Sequence, residues 1–141
     1  MRASELMTRK PAVLSPRATI ADAWDLMREL EIRHVPVVDD GALVGMLSDR
    51  DLAQVDIARV LMGQGAMALG KELATPIIEV MSSDVISVDS ETDLSDLVDL
   101  LIESRVGAIP VVRPDTRSVI GIVSYIDVLR ALREALEEEK A

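Results

Sequence analysis

The stretch Ile-Arg-His-Val-Pro-Val-Val at residues 32–38 returns as Val-Gly-Ala-Ile-Pro-Val-Val at residues 106–112, and this repetition decides the fold. The match extends backwards without a gap, so the chain from Met7 lies over the chain from Met81 at a constant shift of 74 residues. Self-similarity at one fixed spacing indicates a repeated structural unit, and two copies are too few for a solenoid. The sequence therefore predicts a pseudo-symmetric pair of halves, and any pocket at their junction should occur twice.

Both copies predict the same order of elements. In the first copy, apolar residues at helical spacing follow Ile20, a β-branched strand covers residues 32–38, and a second apolar strand covers residues 43–47. Ser48 then opens another helix, which we expect to run to about Met62. The second copy gains two residues between its strands and otherwise repeats this order. With a short extended run ahead of the first helix, each copy reads strand, helix, strand, strand, helix.

The repetition also predicts the domain boundaries. We expect repeat 1 to cover residues 1–62 and repeat 2 to cover residues 75–141, joined by a linker at residues 63–74. The linker is rich in small and apolar residues and has weak periodicity, so it either permits a close approach of helices or serves as a flexible joint. Each half is small for a stable core of its own, so we expect the halves to bury apolar faces on each other.

Composition excludes several classes of function. Apolar residues make up 49% of the 141-residue chain, which is enough for a core, and the formal net charge of −10 is unsuited to nucleic acid or to an anionic membrane surface. Cysteine is absent, so neither disulfides nor thiolate chemistry is available. No apolar run approaches the roughly 18 residues that a membrane span needs, and the first residues do not form a signal peptide. We therefore expect a cytoplasmic protein.

Six segments, in order and in both copies, resemble a tandem pair of CBS domains, the modules named after cystathionine β-synthase. They are Leu6-Met7, Val80-Met81 and residues 33–39, 43–52, 107–112 and 119–129. The resemblance implies an α+β fold in which two β-α-β-β-α repeats pack with pseudo-twofold symmetry. It also implies two clefts between the repeats that bind adenosine-containing ligands.

The resemblance further implies a function. The candidate ligands are AMP, ADP, ATP and S-adenosylmethionine, alone or with Mg²⁺, and no cofactor is required. Members of the family regulate enzymes and channels and perform no chemistry, so we expect no enzymatic activity. Pairs of CBS domains commonly associate through their helices, which implies a homodimer that acts on a separate, unidentified partner protein.

The Ser-x-x-Asp motif that opens the second helix of each copy is the sharpest candidate site. A carboxylate accepts two hydrogen bonds at once, which suits the adjacent hydroxyls of a ribose. The resemblance assigns ribose binding to Ser48 and Asp51 and to Ser124 and Asp127. The alternative is a capping box, in which Ser and Asp satisfy the free backbone N–H groups of the helix start. One residue can serve both purposes.

Basic residues near this motif predict a phosphate site in one copy. In adenylate-binding members of the family, basic residues just ahead of the strand proline reach the phosphates, which implies this role for Arg33 and His34, and Arg50 lies inside the motif itself. The alternative is that His34 is an ordinary surface residue and that the arginines only balance nearby acids. The second copy has Gly107-Ala108 and Ile126 at these positions, so the two sites are not expected to be equivalent.

A base pocket is predicted beside the strand prolines. We expect each proline to end main-chain pairing and so to free neighbouring backbone groups, which can then read an adenine edge. The residues assigned to this pocket are Ala12, Val35, Pro36, Ile86, Ile109 and Pro110.

Three functions compete at this stage. The leading interpretation is a ligand-sensing regulatory module, and the second is a dimerising scaffold that binds no small molecule. An enzyme has little support, because the sequence has one histidine and no local nucleophile–base pair. Trp24 is interpreted either as a packing residue or as a dimer contact.

Overall fold

A computed structural model of the chain describes residues 1–53 and 65–140. The helices are α1 (Ala3–Leu6), α2 (Ile20–Leu30), α3 (Asp49–Ala53), α4 (Gly65–Leu73), a 3₁₀ turn (Ile77–Glu79), α5 (Leu94–Ser104) and α6 (Tyr125–Lys140). The strands are β1 (Thr8–Arg9), β2 (His34–Asp39), β3 (Ala42–Ser48), β4 (Ala108–Val112) and β5 (Val119–Ser124). The mixed composition of helix and strand confirms the predicted α+β class. The predicted end of a helix near Met62 lies outside the described residues.

The chain divides into two compact units that do not coincide with the two sequence copies. The first-copy unit is Ala12–Val85, and the second-copy unit combines Met1–Pro11 with Ile86–Ala141. The segment ahead of the first copy therefore packs with the second copy, and the segment ahead of the second copy packs with the first. Part of the predicted linker, residues 65–73, is helical.

The first-copy unit contains the antiparallel hairpin of β2 and β3, in which Pro36 pairs with Met46 and His34 with Ser48. Ser82 adds two backbone hydrogen bonds of 2.9 Å to Met46, which extends the hairpin on its β3 side. The core beneath the hairpin comes from both helical and strand residues, as periodic apolar patterns predict. It comprises Ile20, Ala23, Met27, Val35, Val37, Leu47, Leu52 and Ile77.

The second-copy unit contains a three-stranded antiparallel sheet in the order β1-β5-β4. Strand β1 comes from the start of the chain and pairs Thr8 with Ile122 and Arg9 with Gly121. Helix α1 is anchored beside it, because Ala3 is fully buried in the core of this unit. The other buried members of that core are Val88, Leu97, Ile109, Val111 and Val123.

The predicted first strand of each copy is reduced to one bridge. Leu14 pairs in parallel with Val37, and Val88 pairs in parallel with Val111. In the first copy, Leu14 exchanges hydrogen bonds of 3.1 and 2.9 Å with Pro36 and Val38, so the extended run is held without forming a regular strand.

The expectation that the prolines end strand pairing is wrong. Pro36 and Pro110 lie inside β2 and β4, and both ladders continue beyond them to a bulge one residue later. A neighbouring segment lies on the side where each proline lacks an N–H. This segment needs an acceptor for its own N–H and needs no donor from the proline. The carbonyl of Pro36 accepts from the N–H of Leu14, and that of Pro110 accepts from Val88. The prolines therefore remain in the sheets, and the bulges that follow them change the register.

A methionine lies on a glycine in each unit. A Cβ at Gly121 would lie within 3.0 Å of the Sδ, Cγ and Cβ atoms of Met7. A Cβ at Gly45 would lie 2.5 Å from Sδ and 3.0 Å from Cε of Met81. Both methionines come from the exchanged segments, so these contacts close the two units in the same way.

Candidate functional site

The first candidate site is the corner at which β3 ends and α3 begins, which we call the Asp51 corner. The backbone N–H of Ser48 donates to Oδ2 of Asp51 at 2.8 Å, and the N–H of Asp51 donates to Oγ of Ser48 at 3.3 Å. This is a reciprocal capping box, so the structural interpretation of the motif holds. Within residues 1–53 and 65–140, Oδ1 of Asp51 has no hydrogen-bond partner. One carboxylate oxygen therefore holds the backbone, and the other makes no hydrogen bond to the described part of the chain.

The second candidate site, the Asp127 corner, repeats this geometry where β5 meets α6. The N–H of Ser124 donates to Oδ2 of Asp127 at 2.8 Å, and the N–H of Asp127 donates to Oγ of Ser124 at 3.3 Å. The Ser124 hydroxyl also lies 3.1 Å from Oδ2. Oδ1 of Asp127 lies 3.9 Å from the guanidinium of Arg130, one turn along α6. The second carboxylate oxygen thus faces a cation that belongs to the same helix.

The predicted phosphate residues gather at the Asp51 corner. His34 pairs directly across the hairpin with Ser48, and the N–H of Asp49 donates to the carbonyl of Arg33 at 2.9 Å. Arg33 and Arg50 are exposed, and His34 is half-buried. Strand pairing and the helix start therefore bring together residues that are far apart along the sequence.

Charge and burial act on His34 in opposite directions. Burial lowers the pKa of His34 below 6.5, and the charge of Arg33 lowers it further, whereas Asp49 and Asp51 raise it. Because burial is the largest of these causes, the neutral imidazole is favoured. A neutral His34 offers a hydrogen bond to a ligand and becomes a cation only when an anion or a lower pH supports its protonation.

The same positions in the Asp127 corner carry no charge. Ala108 pairs with Ser124, and the N–H of Tyr125 donates to the carbonyl of Gly107 at 3.0 Å. These bonds match those of His34 and Arg33 in the other corner. Tyr125 and Ile126 occupy the first turn of α6 and are 42% and 39% exposed. The repetition therefore extends to the backbone, while the side chains around it differ.

Four of the six residues assigned to the base pocket are buried in the cores of the units. The side chains of Val35, Pro36, Ile109 and Pro110 are less than 2% exposed. Ile86, by contrast, is 37% exposed, and Ala12 is half-buried. Burial accounts for the four residues in the strands, whereas Ala12 and Ile86 keep part of their side chains exposed.

The exchanged segments bring two hydroxyl residues that sequence reasoning missed. Thr8 pairs with Ile122 and Ser82 pairs with Met46, in each case two residues before the serine of the corner. Since paired residues in a sheet share a face and alternate residues do so too, Thr8 lies on the face of Ser124 and Ser82 on the face of Ser48. The two residues occupy matching positions in the sequence repeat, a signal that could have identified them.

Two further features bear on metal binding and on membranes. Among residues 1–53 and 65–140, no group of three or more histidine or acidic side chains is placed to hold a metal ion. In the same part of the chain, no helix has the length and apolar character of a membrane span.

Comparison with known proteins identifies the family of the chain. The CBS domain family model matches the chain twice, at residues 3–58 and 77–134. The chain belongs to the CBS domain family. It therefore contains a tandem CBS pair, and each match ends beyond a Ser-x-x-Asp corner.

Relatives of this CBS pair are small CBS-domain proteins. The chain is 33% identical to the CBS domain-containing protein YhcV of Bacillus subtilis over 124 residues, which cover 88% of this chain and 80% of that protein. A Vibrio cholerae protein with a proposed role in acetoin utilization (AcuB) has 32% identity and a TM-score of 0.79, covering 100% of this chain and 97% of its own. The structure of CBSX2 in complex with AMP has 28% identity and a TM-score of 0.78. The match covers 95% of this chain and 97% of the CBSX2 chain.

Proposed function

We propose that this protein is a non-catalytic regulatory module that binds an adenosine-containing ligand of the AMP, ADP or ATP class. In this proposal Asp51 and Asp127 hold ribose hydroxyls, with Ser48 and Ser124 beside them, and Arg33, His34 and Arg50 contact phosphate. S-adenosylmethionine is a further candidate, and Mg²⁺ accompanies a polyphosphate where one is bound.

One observation carries this proposal: both corners use Oδ2 for the backbone, while Oδ1 of Asp51 has no hydrogen bond within the described residues and Oδ1 of Asp127 has only Arg130 at 3.9 Å. In each corner Oδ2 accepts from the serine N–H at 2.8 Å. The capping role therefore fixes the direction of Oδ1 and does not compete with ligand binding. A preoriented acceptor loses little conformational entropy when it binds a ribose hydroxyl.

A relative supports the class of ligand. CBSX2, which is 28% identical to this chain over nearly its full length, was solved in complex with AMP. The cations at the Asp51 corner suit a nucleotide phosphate, since guanidinium groups form charge-assisted hydrogen bonds with phosphate oxygens.

The proposed homodimer is supported by an exposed apolar stripe on α6. Tyr125, Leu129, Leu132 and Leu136 are all exposed and follow one another at spacings of four, three and four residues. This spacing places them on one side of a helix, as in the seam of a coiled coil. Trp24 is 40% exposed on α2, so it is outside the buried core and is available for a helix contact as well.

Leu132→Glu should convert a dimer to a monomer in light scattering, and Glu134→Lys, away from the stripe, should not. The dimer is proposed to act on a separate partner chain.

Titration calorimetry with AMP, ADP and ATP tests the ligand proposal. Asp51→Ala should remove nucleotide binding at its corner, since a carboxylate–hydroxyl hydrogen bond contributes about 1.5–3 kcal/mol, or at least a tenfold loss in affinity. Asp127→Ala should weaken by a similar factor whichever adenosine-containing ligand occupies the second corner. Asp22→Ala is a matched control. Its carboxylate forms the same reciprocal box with Thr19, at 2.9 and 3.2 Å, at the start of α2. The control should lose comparable stability and keep full affinity.

The second candidate function is a dimerising scaffold. It is favoured by the finding that the capping boxes give Ser48, Asp51, Ser124 and Asp127 a structural role without any ligand. If none of the three nucleotides nor S-adenosylmethionine binds to the unmodified protein, the scaffold replaces the sensor. Steady hydrolysis of ATP that is lost in Asp51→Ala would contradict both.

A further inference from the structure

We infer that the two corners sort adenosine ligands by charge: the Asp51 corner takes a phosphorylated nucleotide, and the Asp127 corner takes an adenosine whose 5′ substituent is uncharged. This inference rests on the proposed function and specifies the ligand class of each site. It predicts that one chain holds two different ligands at once.

The two corners can be compared directly because their backbone hydrogen bonds match. The N–H of Asp49 and the N–H of Tyr125 donate to the carbonyls of Arg33 and Gly107 at 2.9 and 3.0 Å. The serine N–H to carboxylate distance is 2.8 Å in both corners. A ribose held by either carboxylate therefore meets the same backbone arrangement. The difference in ligand arises from the side chains around that backbone.

The Asp51 corner has free donors for phosphate. Within the described parts of the chain, neither Arg33 nor Arg50 has an ion-pair partner, although both stand close to acidic residues. His34 interacts electrostatically with Arg33, Asp49 and Asp51, its pKa is lowered mainly by burial, and a bound phosphate would favour its protonated form. Asp49 offsets part of the positive charge, so selection depends on directed guanidinium bonds and not on net charge alone.

The Asp127 corner has no comparable donors at the equivalent positions. These are Gly107, Ala108 and Ile126, and Tyr125 adds an aromatic side chain in place of Asp49. Arg130, the one cation within residues 1–53 and 65–140 that contacts the motif, already lies 3.9 Å from Oδ1 of Asp127. A phosphate placed here would meet a carboxylate and apolar side chains, and an uncharged substituent would be favoured instead.

Arg9, the cation in the paired part of the exchanged segment, does not restore a phosphate donor to this corner. Arg9 pairs with Gly121, which lies an odd number of residues from Ser124 along β5. Because side chains alternate between the faces of a sheet, Arg9 lies on the face opposite to Ser124. Thr8, which does share the face of Ser124, contributes a neutral hydroxyl.

A pair of reciprocal substitutions tests the inference on the intact chain. Arg50 and Ile126 occupy equivalent, exposed positions in the first turn of their helices, so Arg50→Ile and Ile126→Arg are expected to fold. Calorimetry with AMP and with adenosine, each in Asp51→Ala and Asp127→Ala backgrounds, assigns each binding event to a corner. AMP should bind once per chain, and adenosine should bind at the Asp127 corner in the presence of saturating AMP.

The substitutions should move AMP affinity in opposite directions. Arg50→Ile should weaken AMP at the Asp51 corner by about tenfold, as expected for one charge-assisted hydrogen bond. Ile126→Arg should create a second AMP site that is lost again when Asp127→Ala is added. AMP that binds both corners of the unmodified protein with similar affinity would overturn the inference and leave the proposed function intact. No binding of either probe would overturn the proposed function itself.

Discussion

The Asp51 corner and the Asp127 corner share one backbone arrangement and differ in nearly every side chain around it. Their hydrogen bonds agree to within 0.1 Å for the serine, aspartate and first helical N–H groups. Gly107 and Ile126 of the second corner occupy the positions of the charged residues Arg33 and Arg50 of the first. The comparison teaches that folding and the proposed ligand selection depend on different atoms. Backbone groups and one carboxylate oxygen build the corner, whereas exposed side chains would select the ligand.

The largest expected difference between the two units lies in the contact between a glycine and a methionine, Gly121 with Met7 and Gly45 with Met81. Gly121→Ala should destabilise the protein by about 1–3 kcal/mol, because the new methyl group meets Met7 as far back as its Cβ, which cannot move without the chain. Gly45→Ala should cost less, since it meets mainly the flexible Sδ and Cε end of Met81. Urea denaturation measures both. A double variant, Gly121→Ala with Met7→Ala, should recover part of the loss, and equal costs for the two single variants would contradict the prediction.

Substitutions at the helix caps should also distinguish the two copies, with a smaller difference in the free energy of unfolding. Thr19 accepts from the N–H of Asp22 at 3.2 Å, whereas its sequence counterpart Asp93 occupies the N-cap position of α5 without a side-chain cap hydrogen bond. Thr19→Ala should therefore lower the free energy of unfolding by about 0.5–2 kcal/mol. Asp93→Ala should leave it nearly unchanged. A comparable loss in both, measured by thermal unfolding, would show that the two caps are equivalent after all.

The copies should behave alike at their helix ends. Glu31 and Arg105 follow α2 and α5 with φ of 54° each, in the left-handed region that glycine adopts without steric cost. Glu31→Gly and Arg105→Gly should each stabilise the protein by up to about 1 kcal/mol, since the relief of this strain exceeds the entropy that glycine adds to the unfolded chain. The measurement is the shift in denaturation midpoint. Opposite signs for the two variants would contradict the equivalence of these ends.

The smallest expected effect is a pH dependence that only the Asp51 corner has. Since burial lowers the pKa of His34 in the folded state below 6.5, the unfolded chain takes up the proton first as the pH falls. The stabilising effect of the neutral imidazole is fully present above pH 6.5 and is lost as the pH falls through the lowered pKa of the folded state. His34→Gln should flatten the decline in stability below about pH 6.5. If the pH profiles of the variant and the unmodified protein are parallel, the predicted direction is wrong.

Most of the local structure could be predicted from the sequence alone. The repeat, the order of the two hairpins and the following helices, and the Ser-x-x-Asp caps are properties of short segments, in which periodicity and capping chemistry act between neighbours. The capping box of Thr19 and Asp22 forms as its spacing predicts. The pairing of His34 with Ser48 is local in the same way, because hairpin pairing follows from the turn between two adjacent strands. The phosphate-binding role of Arg33, His34 and Arg50 stays a prediction.

Only the tertiary structure decided which segments build each unit. Strand β1 pairs with β5, and Ser82 pairs with Met46, across sequence separations that no local pattern encodes. The same limit explains the prolines, whose carbonyls accept hydrogen bonds from the backbone N–H groups of the distant residues Leu14 and Val88. It also explains the burial of Val35 and Ile109, which depends on what packs over each hairpin. The sequence by itself determined the repeated frame and its charges, because these are local, whereas the exchange of segments required the cooperative packing of distant parts of the chain.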